Sequence, residues 1–123
     1  MDTFRKRHEH IMTLAEPFFF KVLYGEKTVE MRLYDEKRRK IKVGDRITFF
    51  CAENNCMTLE CEVEGVEVFD DFYALASSYP VERLGFAGKS PRDVADFMNS
   101  LYGERTEKNQ VVALEIIFYD SEV

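Results

Sequence analysis

Alternating apolar and polar positions predict strands over much of this chain. Between residues 57 and 69 the sequence MTLECEVEGVEVF puts Leu59, Cys61 and Val63 on one face and glutamates on the other. This period of two is typical of a half-buried β-strand. The apolar phase shifts after Gly65, and a glycine at such a shift indicates a bulge or a sharp bend. We therefore predict one long strand that bends at Gly65.

Four other segments have the patterns of strands. Residues 27–33 alternate between apolar and polar side chains, and residues 10–14 and 45–51 are short strand-forming runs. Residues 111–119 are apolar on both faces, which predicts a strand in the interior of a sheet. A tight turn is expected at Gly44, immediately before one of these strands.

Two segments have the signals of helices. Residues 16–25 have a proline near their start and end at Gly25, the usual placement of these residues around a helix. Residues 90–103 begin with Ser90 as a predicted N-cap and have Asp93 at the capping-box position. The apolar stripe of this second helix follows the spacing i, i+3, i+4, i+7 and consists of Val94, Phe97, Met98 and Leu101.

These elements predict an α+β protein in which a small mixed β-barrel of about five to six strands has flanking helices. Long connections and a strand that bends at a glycine favour a mostly closed barrel. Shorter helical pieces are expected between residues 70 and 86. At 123 residues the chain is predicted to form a single domain, residues 1–123. We assume a monomer.

The chain is acidic overall, but its positive charge is concentrated near its start. It has 17 Lys and Arg against 23 Asp and Glu, for a net charge of −6. Residues 1–46 carry a net charge of +4, and residues 47–123 carry −10. This asymmetry indicates either an anionic partner for the basic part or two solvated faces that keep the protein soluble. The low isoelectric point argues against tight non-specific DNA binding.

Several common classes of protein are disfavoured. The sequence has neither the roughly 18 consecutive apolar residues of a membrane span nor the apolar run of a secretory signal. Cys51, Cys56 and Cys61 are an odd number without a C-x-x-C pair, which favours reduced thiols in a cytoplasmic protein. His8 and His10 have no partner at metal-ligand spacing, so we expect surface histidines, no metal site and no cofactor.

Three charged residues in the predicted strand 27–33 have a pattern suited to binding a polar ligand. Glu30 and Arg32 are two residues apart on a predicted strand and therefore share a face. Arg offers a planar fork of donors and a carboxylate accepts amino groups, which together suit the edge of a nucleobase. Lys27 is placed to contact a phosphate or, if burial removes its proton, to act as a base or nucleophile. The alternative is a surface ion pair worth about 0–1 kcal/mol.

The basic run that follows suits a phosphate backbone. Lys37, Arg38 and Arg39 are consecutive, and basic side chains give affinity for nucleic acid without sequence choice. Tyr34 lies just before this run, where its ring is available to stack on a base. The alternative interpretation is a solvated helical turn in which these side chains pair with neighbouring carboxylates.

The segment EPFFFKVLYGEKTVEMRLYDEKRRKIKVGDRITF resembles the ASCH domain family of the PUA-like superfamily. The family hallmark G-x-K-x-x-E-x-R is present as Gly25, Lys27, Glu30 and Arg32, and the similarity extends over residues 10–119. The resemblance implies a PUA-like β-barrel with a cleft between its first helix and the barrel, lined by the hallmark residues. It also implies a ligand that is RNA, a nucleotide or a modified nucleoside.

One branch of small proteins in this family removes the acetyl group from N4-acetylcytidine. In that branch the hallmark Lys, a Thr two residues before the Arg and a more distant Glu are thought to perform the reaction. Lys27 matches the hallmark Lys, but Glu30 occupies the position of the Thr. No motif identifies the distant Glu, for which Glu67 and Glu82 are candidates. Binding of RNA or of a nucleotide-like ligand is therefore preferred, and an amidohydrolase with Lys27 as its key residue is the alternative.

Overall fold

The computed structural model describes residues 7–119, and these form a mixed five-stranded sheet with helices packed against it. The strands are β1 (Glu9–Leu14), β2 (Val29–Leu33), β3 (Arg46–Cys51), β4 (Asn54–Phe69) and β5 (Val111–Phe118). The helices are α1 (Glu16–Leu23), α2 (Phe72–Ser77), α3 (Pro91–Tyr102) and α4 (Arg105–Lys108), and 3₁₀ turns cover Arg38–Lys40 and Val81–Leu84. The strand order is β1-β3-β4-β5-β2, with β1 and β3 parallel and the other pairs antiparallel.

The sheet curls into a half-barrel with β1 and β2 at its two edges. The α+β class and the number of strands are confirmed, but the barrel is less closed than predicted, because in the described residues β1 and β2 do not pair with each other. One side chain crosses the gap between them: Nη2 of Arg32 on β2 donates to the carbonyl oxygen of Thr13 on β1, at 2.7 Å. This open seam is where the candidate site lies.

Strand β5 separates two hydrophobic cores. Val112 and Leu114 pack on one face, with residues of β1, β3, β4 and α1, while Val111 and Ala113 pack on the other, with residues of α2 and α3. Both faces of the strand are therefore buried, as its continuous apolar sequence predicts. Because Val29, Met31 and Leu33 of β2 are buried in the second core, Glu30 and Arg32 lie on the opposite face of the strand.

Strand β4 bends where the sequence predicts it. The pairing register with β5 shifts between Val63 and Gly65, which is a β-bulge. The backbone at Gly65 is not in the left-handed region, so the glycine is not needed for its φ angle. It is needed for space, because a Cβ there would lie 2.6 Å from Oε2 of Glu115 on the neighbouring strand.

Helix α3 has the predicted capping box. The Ser90 side chain accepts from the Asp93 N–H at 3.1 Å, and the Asp93 side chain accepts from the Ser90 N–H at 3.2 Å. Its apolar stripe divides into two parts, contrary to the expectation of one buried face. Val94 and Met98 are buried, whereas Phe97 and Leu101 are exposed. The exposed part borders a cavity.

His10 is not the exposed surface residue that the sequence predicts, because its ring is largely buried and packs against a buried carboxylate. Its Nε2 lies 2.9 Å from Oδ2 of Asp45, which also accepts from the Lys42 N–H at 3.0 Å. Among the described residues, no three His, Cys, Asp or Glu side chains are placed to hold a metal ion.

None of the helices in the described part of the chain combines the length and apolar character that a bilayer crossing requires.

Candidate ligand-binding cavity

A cavity of about 260 Å³ lies between α1, β2 and α3, at the open seam of the half-barrel. Its charged lining consists of Lys27, Glu30 and Arg32, which we call the triad. Its aromatic lining consists of Phe18, Phe86, Phe97 and Tyr102. A polar floor under mostly apolar walls is the usual composition of a site for a small organic ligand.

Glu30 holds the triad together. Its Oε1 is 3.0 Å from Nζ of Lys27, and its Oε2 accepts from Nε of Arg32 at 2.6 Å. Glu30 and Lys27 are almost completely buried, at 5% and 3% exposure. Two cations and one carboxylate leave the triad with one net positive charge, so the cavity favours a ligand that accepts hydrogen bonds or carries negative charge.

The ammonium of Lys27 is fully engaged. Besides Glu30, it donates to the carbonyl oxygens of Val29 at 2.9 Å and Leu84 at 3.0 Å. Three acceptors require the three N–H groups of a protonated amine, since a neutral amine has two. Burial lowers the pKa of Lys27, and the adjacent carboxylate of Glu30 opposes that shift. This arrangement suits a fixed positive charge better than a nucleophile.

Glu30 is a carboxylate anion at neutral pH. Burial alone would raise its pKa, but the charges of Lys27 and Arg32 and their hydrogen bonds outweigh burial and hold that pKa below its usual value. The same pairing raises the pKa of Arg32 despite its burial. Burial raises the pKa of the Cys61 thiol on β4 to about 12, and the negative charge of Glu30 adds to this effect.

Arg32 has one nitrogen left for a ligand. Its Nε is bound to Glu30 and its Nη2 to Thr13. Its Nη1 has no hydrogen-bond partner among the described residues, and it is not one of their buried unpaired atoms. Because Glu30 and Thr13 fix the plane of the guanidinium, this N–H donor has a defined orientation on a side chain that lines the cavity.

The aromatic walls form a connected cluster. The ring centroid of Phe86 lies 5.2 Å from those of Phe18 and Phe97, and the rings of Phe18 and Phe97 are 6.0 Å apart. Nζ of Lys27 lies 5.6 Å from the centroid of Phe18. Phe97 lines the cavity and is 43% exposed, so part of its ring is accessible from solvent.

The other two residues predicted to bind the ligand lie outside this cavity. Gly25 follows α1 with φ +80°, and it borders a second pocket together with Thr28 and Ile116. Tyr34 lies beyond the end of β2, and the guanidinium carbon of Arg39 is 4.5 Å from its ring centroid. Its ring face is therefore already covered on one side.

The basic run has mixed surroundings. Lys37 is exposed, whereas Arg38 is half-buried and its Nη1 lies 3.3 Å from Oδ2 of Asp35. Arg39 is exposed and stacks on Tyr34. Both sequence interpretations have a counterpart here, since a local ion pair is present and two cationic side chains face solvent.

Several residues of the cavity were not predicted. Phe86, Phe97 and Tyr102 supply most of the aromatic wall, and the peptide at Leu84 and Gly85 covers Lys27. The apolar stripe of α3 contains Phe97, but a stripe of this kind ordinarily predicts burial in a core and not the wall of a cavity. No local pattern marks Gly85, whose φ of +90° and close approach to Lys27 and Phe18 depend on the folded chain.

Comparison with known proteins identifies a family and several solved structures that this chain resembles. The ASCH domain profile matches residues 12–119. The crystal structure of the hypothetical protein PH0355 is similar, with 33% identity and a TM-score of 0.79 over 90% of this chain and 99% of that one. Protein PF0455 from Pyrococcus furiosus has 33% identity and a TM-score of 0.70 over 91% of this chain and 98% of that one.

A more distant structure shares the fold. A serine-to-alanine mutant of ZmASCH from Zymomonas mobilis has 19% identity and a TM-score of 0.62, over 93% of this chain and 69% of that one. A search of curated proteins gave no significant match. Fold and extent agree with a PUA-like domain of the ASCH type over nearly the whole chain.

Proposed function

This chain belongs to the ASCH domain family, a family proposed to bind RNA, and from this premise we propose that its cavity binds one nucleobase of an RNA or of a nucleotide-like ligand. One observation carries the proposal: a buried triad with a net positive charge lies directly beneath a cluster of aromatic rings. A nucleobase has the complementary form, with flat apolar faces and an edge of hydrogen-bonding groups.

The two parts of the cavity have separate roles in this proposal. Phe18, Phe86 and Phe97 contact the faces of the base, an interaction worth about 1–3 kcal/mol per base. Nη1 of Arg32 donates to a carbonyl oxygen on its edge. A volume of about 260 Å³ lies below the roughly 300–1,000 Å³ of drug-sized sites, so the cavity suits a single base. An RNA strand would place one unstacked base here.

Hydrolysis of an acylated nucleoside is the alternative. It requires Lys27 to lose a proton or to shuttle one, yet all three of its N–H groups are engaged by Val29, Leu84 and Glu30. The carboxylate of Glu30 stands where the amidohydrolase branch has a hydroxyl. We therefore expect binding without rapid turnover.

The test is calorimetric titration with cytidine, uridine, adenosine, guanosine and N4-acetylcytidine. We expect measurable binding of at least one, and Phe97→Ala should weaken it by about tenfold, because a stacking partner is lost. Tyr73→Ala is the matched control, since Tyr73 is equally exposed, at 44% against 43%, but does not line the cavity.

Two results would reject the proposal. Absence of binding by every nucleoside, or equal loss in the two variants, would show that the cavity does not hold a base. Rapid release of cytidine from N4-acetylcytidine that disappears in Lys27→Met would instead identify an enzyme.

A further inference from the structure

The acceptors on the charged floor of the cavity are already paired with cations. Oε1 of Glu30 lies 3.0 Å from Nζ of Lys27, and Oε2 accepts from Nε of Arg32 at 2.6 Å. Each oxygen retains one further lone pair, but the side chain that carries them is only 5% exposed. The floor therefore offers a ligand little capacity to accept hydrogen bonds.

The backbone in the wall of the cavity is paired in the same way. Residues 13–15 line this wall, and their carbonyl oxygens accept, in chain order, from Nη2 of Arg32 at 2.7 Å, the N–H of Ala52 at 2.8 Å and the N–H of Phe19 at 3.0 Å. These three residues therefore present no unpaired carbonyl group to a ligand.

Two groups of the lining, in contrast, have hydrogens without an acceptor. Nη1 of Arg32 carries two N–H groups that have no partner in the described part of the chain. The hydroxyl of Tyr102 also has no hydrogen-bond partner there, and it is not one of the enclosed unpaired side-chain atoms, so it is open to a ligand. Burial raises the pKa of Tyr102, so this hydroxyl keeps its proton at neutral pH.

The ring of Tyr102 is fixed by its neighbours. It stacks on the buried ring of Phe72, with centroids 5.8 Å apart and planes 10° from parallel. The guanidinium carbon of Arg105, on α4, lies 5.3 Å from the centroid of the Tyr102 ring. The hydroxyl therefore has a defined position on a side chain that lines the cavity together with Arg32.

A cavity with free donors and paired acceptors discriminates between the exocyclic groups of nucleobases. A carbonyl oxygen has two lone pairs, one for Nη1 of Arg32 and one for the hydroxyl of Tyr102. An amino group in the same place brings two N–H groups, which these donors cannot accept as a carbonyl would. An unpaired polar group in a binding site is what rejects a ligand of nearly the same shape.

We propose that the cavity selects bases with a carbonyl oxygen at C4 of a pyrimidine or C6 of a purine over bases with an amino group there. Arg32 and the hydroxyl of Tyr102 are the specificity-determining groups, and both donate to the carbonyl oxygen. The ring N–H beside that carbonyl pairs with a remaining lone pair of Glu30. The inference rests on the proposed function and deepens it, because it names the class of base that the cavity binds.

The test uses two pairs of nucleosides in calorimetric titrations. Uridine and cytidine differ at C4, and inosine and adenosine differ at C6, where a carbonyl oxygen and a ring N–H replace an amino group and a ring nitrogen. The ring size and the sugar are the same within each pair, so stacking on the aromatic wall is matched. We expect the carbonyl member of each pair to bind about tenfold or more tightly.

The variant Tyr102→Phe isolates the contribution of the hydroxyl. It keeps the ring that stacks on Phe72 and removes one oxygen. Affinity for uridine should fall by about fivefold and affinity for cytidine should stay within about twofold of wild type. Tyr73→Phe is the matched control, because Tyr73 is 44% exposed and does not line the cavity. A merely structural role of Tyr102 would lower both affinities equally.

The outcomes separate this inference from the proposed function. Equal affinity within both pairs, or tighter binding of cytidine and adenosine, overturns the selection of carbonyl-bearing bases and leaves base binding intact. A carbonyl preference that is the same in wild type, Tyr102→Phe and Tyr73→Phe overturns the role of the Tyr102 hydroxyl. Failure of all four nucleosides to bind overturns both proposals.

Discussion

At the scale of single residues, Glu30 connects the charged groups of the site. Its carboxylate joins Lys27 to Arg32, and Arg32 in turn bridges the seam to Thr13. The sequence predicts that Glu30 and Arg32 share a face, because that follows from the period of a strand. It does not predict their burial, since the atoms that cover Lys27 belong to Leu84, 57 residues further along the chain.

Replacing Glu30 with Gln should be strongly destabilising at neutral pH. The change leaves two buried cations without an anion, which typically costs about 3–5 kcal/mol in the free energy of unfolding. The pKa of Glu30 is lower in the folded state than its ordinary 4.5, so its stabilising effect is present above that value. The effect is lost as the pH falls through the lower, folded-state pKa.

The measurement is urea unfolding of wild type and Glu30→Gln from pH 7 downward. We expect the difference between the two proteins to be constant above about pH 4.5 and to shrink in more acidic solution. Glu60→Gln is the control, because its ion pair with Arg46, 3.6 Å long, is exposed and worth about 0–1 kcal/mol. A Glu30→Gln cost as small as the control's would mean that the triad is not a buried charge cluster.

At the scale of elements, features that depend on contiguous residues could be predicted from the sequence. The pairing of strands far apart in the chain could not. The bend at Gly65, the capping box at Ser90 and the interior character of β5 are properties of contiguous residues, and all three are confirmed. The parallel pairing of β1 with β3 and the position of β2 beside β5 join segments far apart in sequence. No local pattern contains that information, so the open seam and its cavity could not be located in advance.

The end of the 3₁₀ turn Val81–Leu84 contacts the site, although nothing in the local sequence indicates this. The carbonyl of Leu84 accepts from Lys27 and that of Gly85 from Lys21, at 3.0 and 2.8 Å. The turn therefore holds the side chain of Lys27 through a hydrogen bond to its ammonium group. Gly85 has φ +90°, and a Cβ there would lie 3.2 Å from Cδ of Lys27 and from Cδ1 of Phe18.

Replacing Gly85 with Ala should disturb the site beyond the cost of the backbone alone. Gly88 provides the comparison, because its φ is +82° but a Cβ there meets nothing within 4 Å. Both substitutions pay about 1 kcal/mol for the left-handed backbone, and Gly85→Ala should cost more and weaken nucleoside binding. The checks are thermal unfolding and the calorimetric titration. Equal effects of the two substitutions on both measurements would show that the turn does not position Lys27.

At the scale of the whole molecule, the distribution of charge suggests how a strand of RNA would approach. The 3₁₀ turn Arg38–Lys40 and its flanks hold the exposed cations Lys37, Arg39 and Lys40, close in sequence to Glu30 and Arg32 on β2. Residues 47–123 carry a net charge of −10 and would repel a polyanion. Attraction should therefore be confined to this part of the surface.

The corresponding prediction concerns the salt dependence of RNA binding. Replacing Lys37, Arg39 and Lys40 together with Ala removes up to three phosphate contacts, and each contributes about 0.7 to the slope of log affinity against log salt for single strands. The slope should flatten by about two units for RNAs of any sequence. Arg38 is left in place, because its ion pair with Asp35 is part of the local structure.

The control removes the same amount of charge elsewhere. Lys89, Arg92 and Lys108 are exposed basic residues that flank or belong to α3 and α4, and none of them lines the cavity. Their triple replacement should leave the slope near the wild-type value, because the slope depends on the number of phosphates in contact with cations and these three residues are not part of the basic run. Fluorescence titrations at several salt concentrations measure both slopes.

Equal flattening would show that RNA responds to net charge, and no flattening in either variant would remove the basic run from the binding surface. A lowered slope in the first variant alone, with an unchanged preference among bases, would separate strand attraction from base recognition in the cavity.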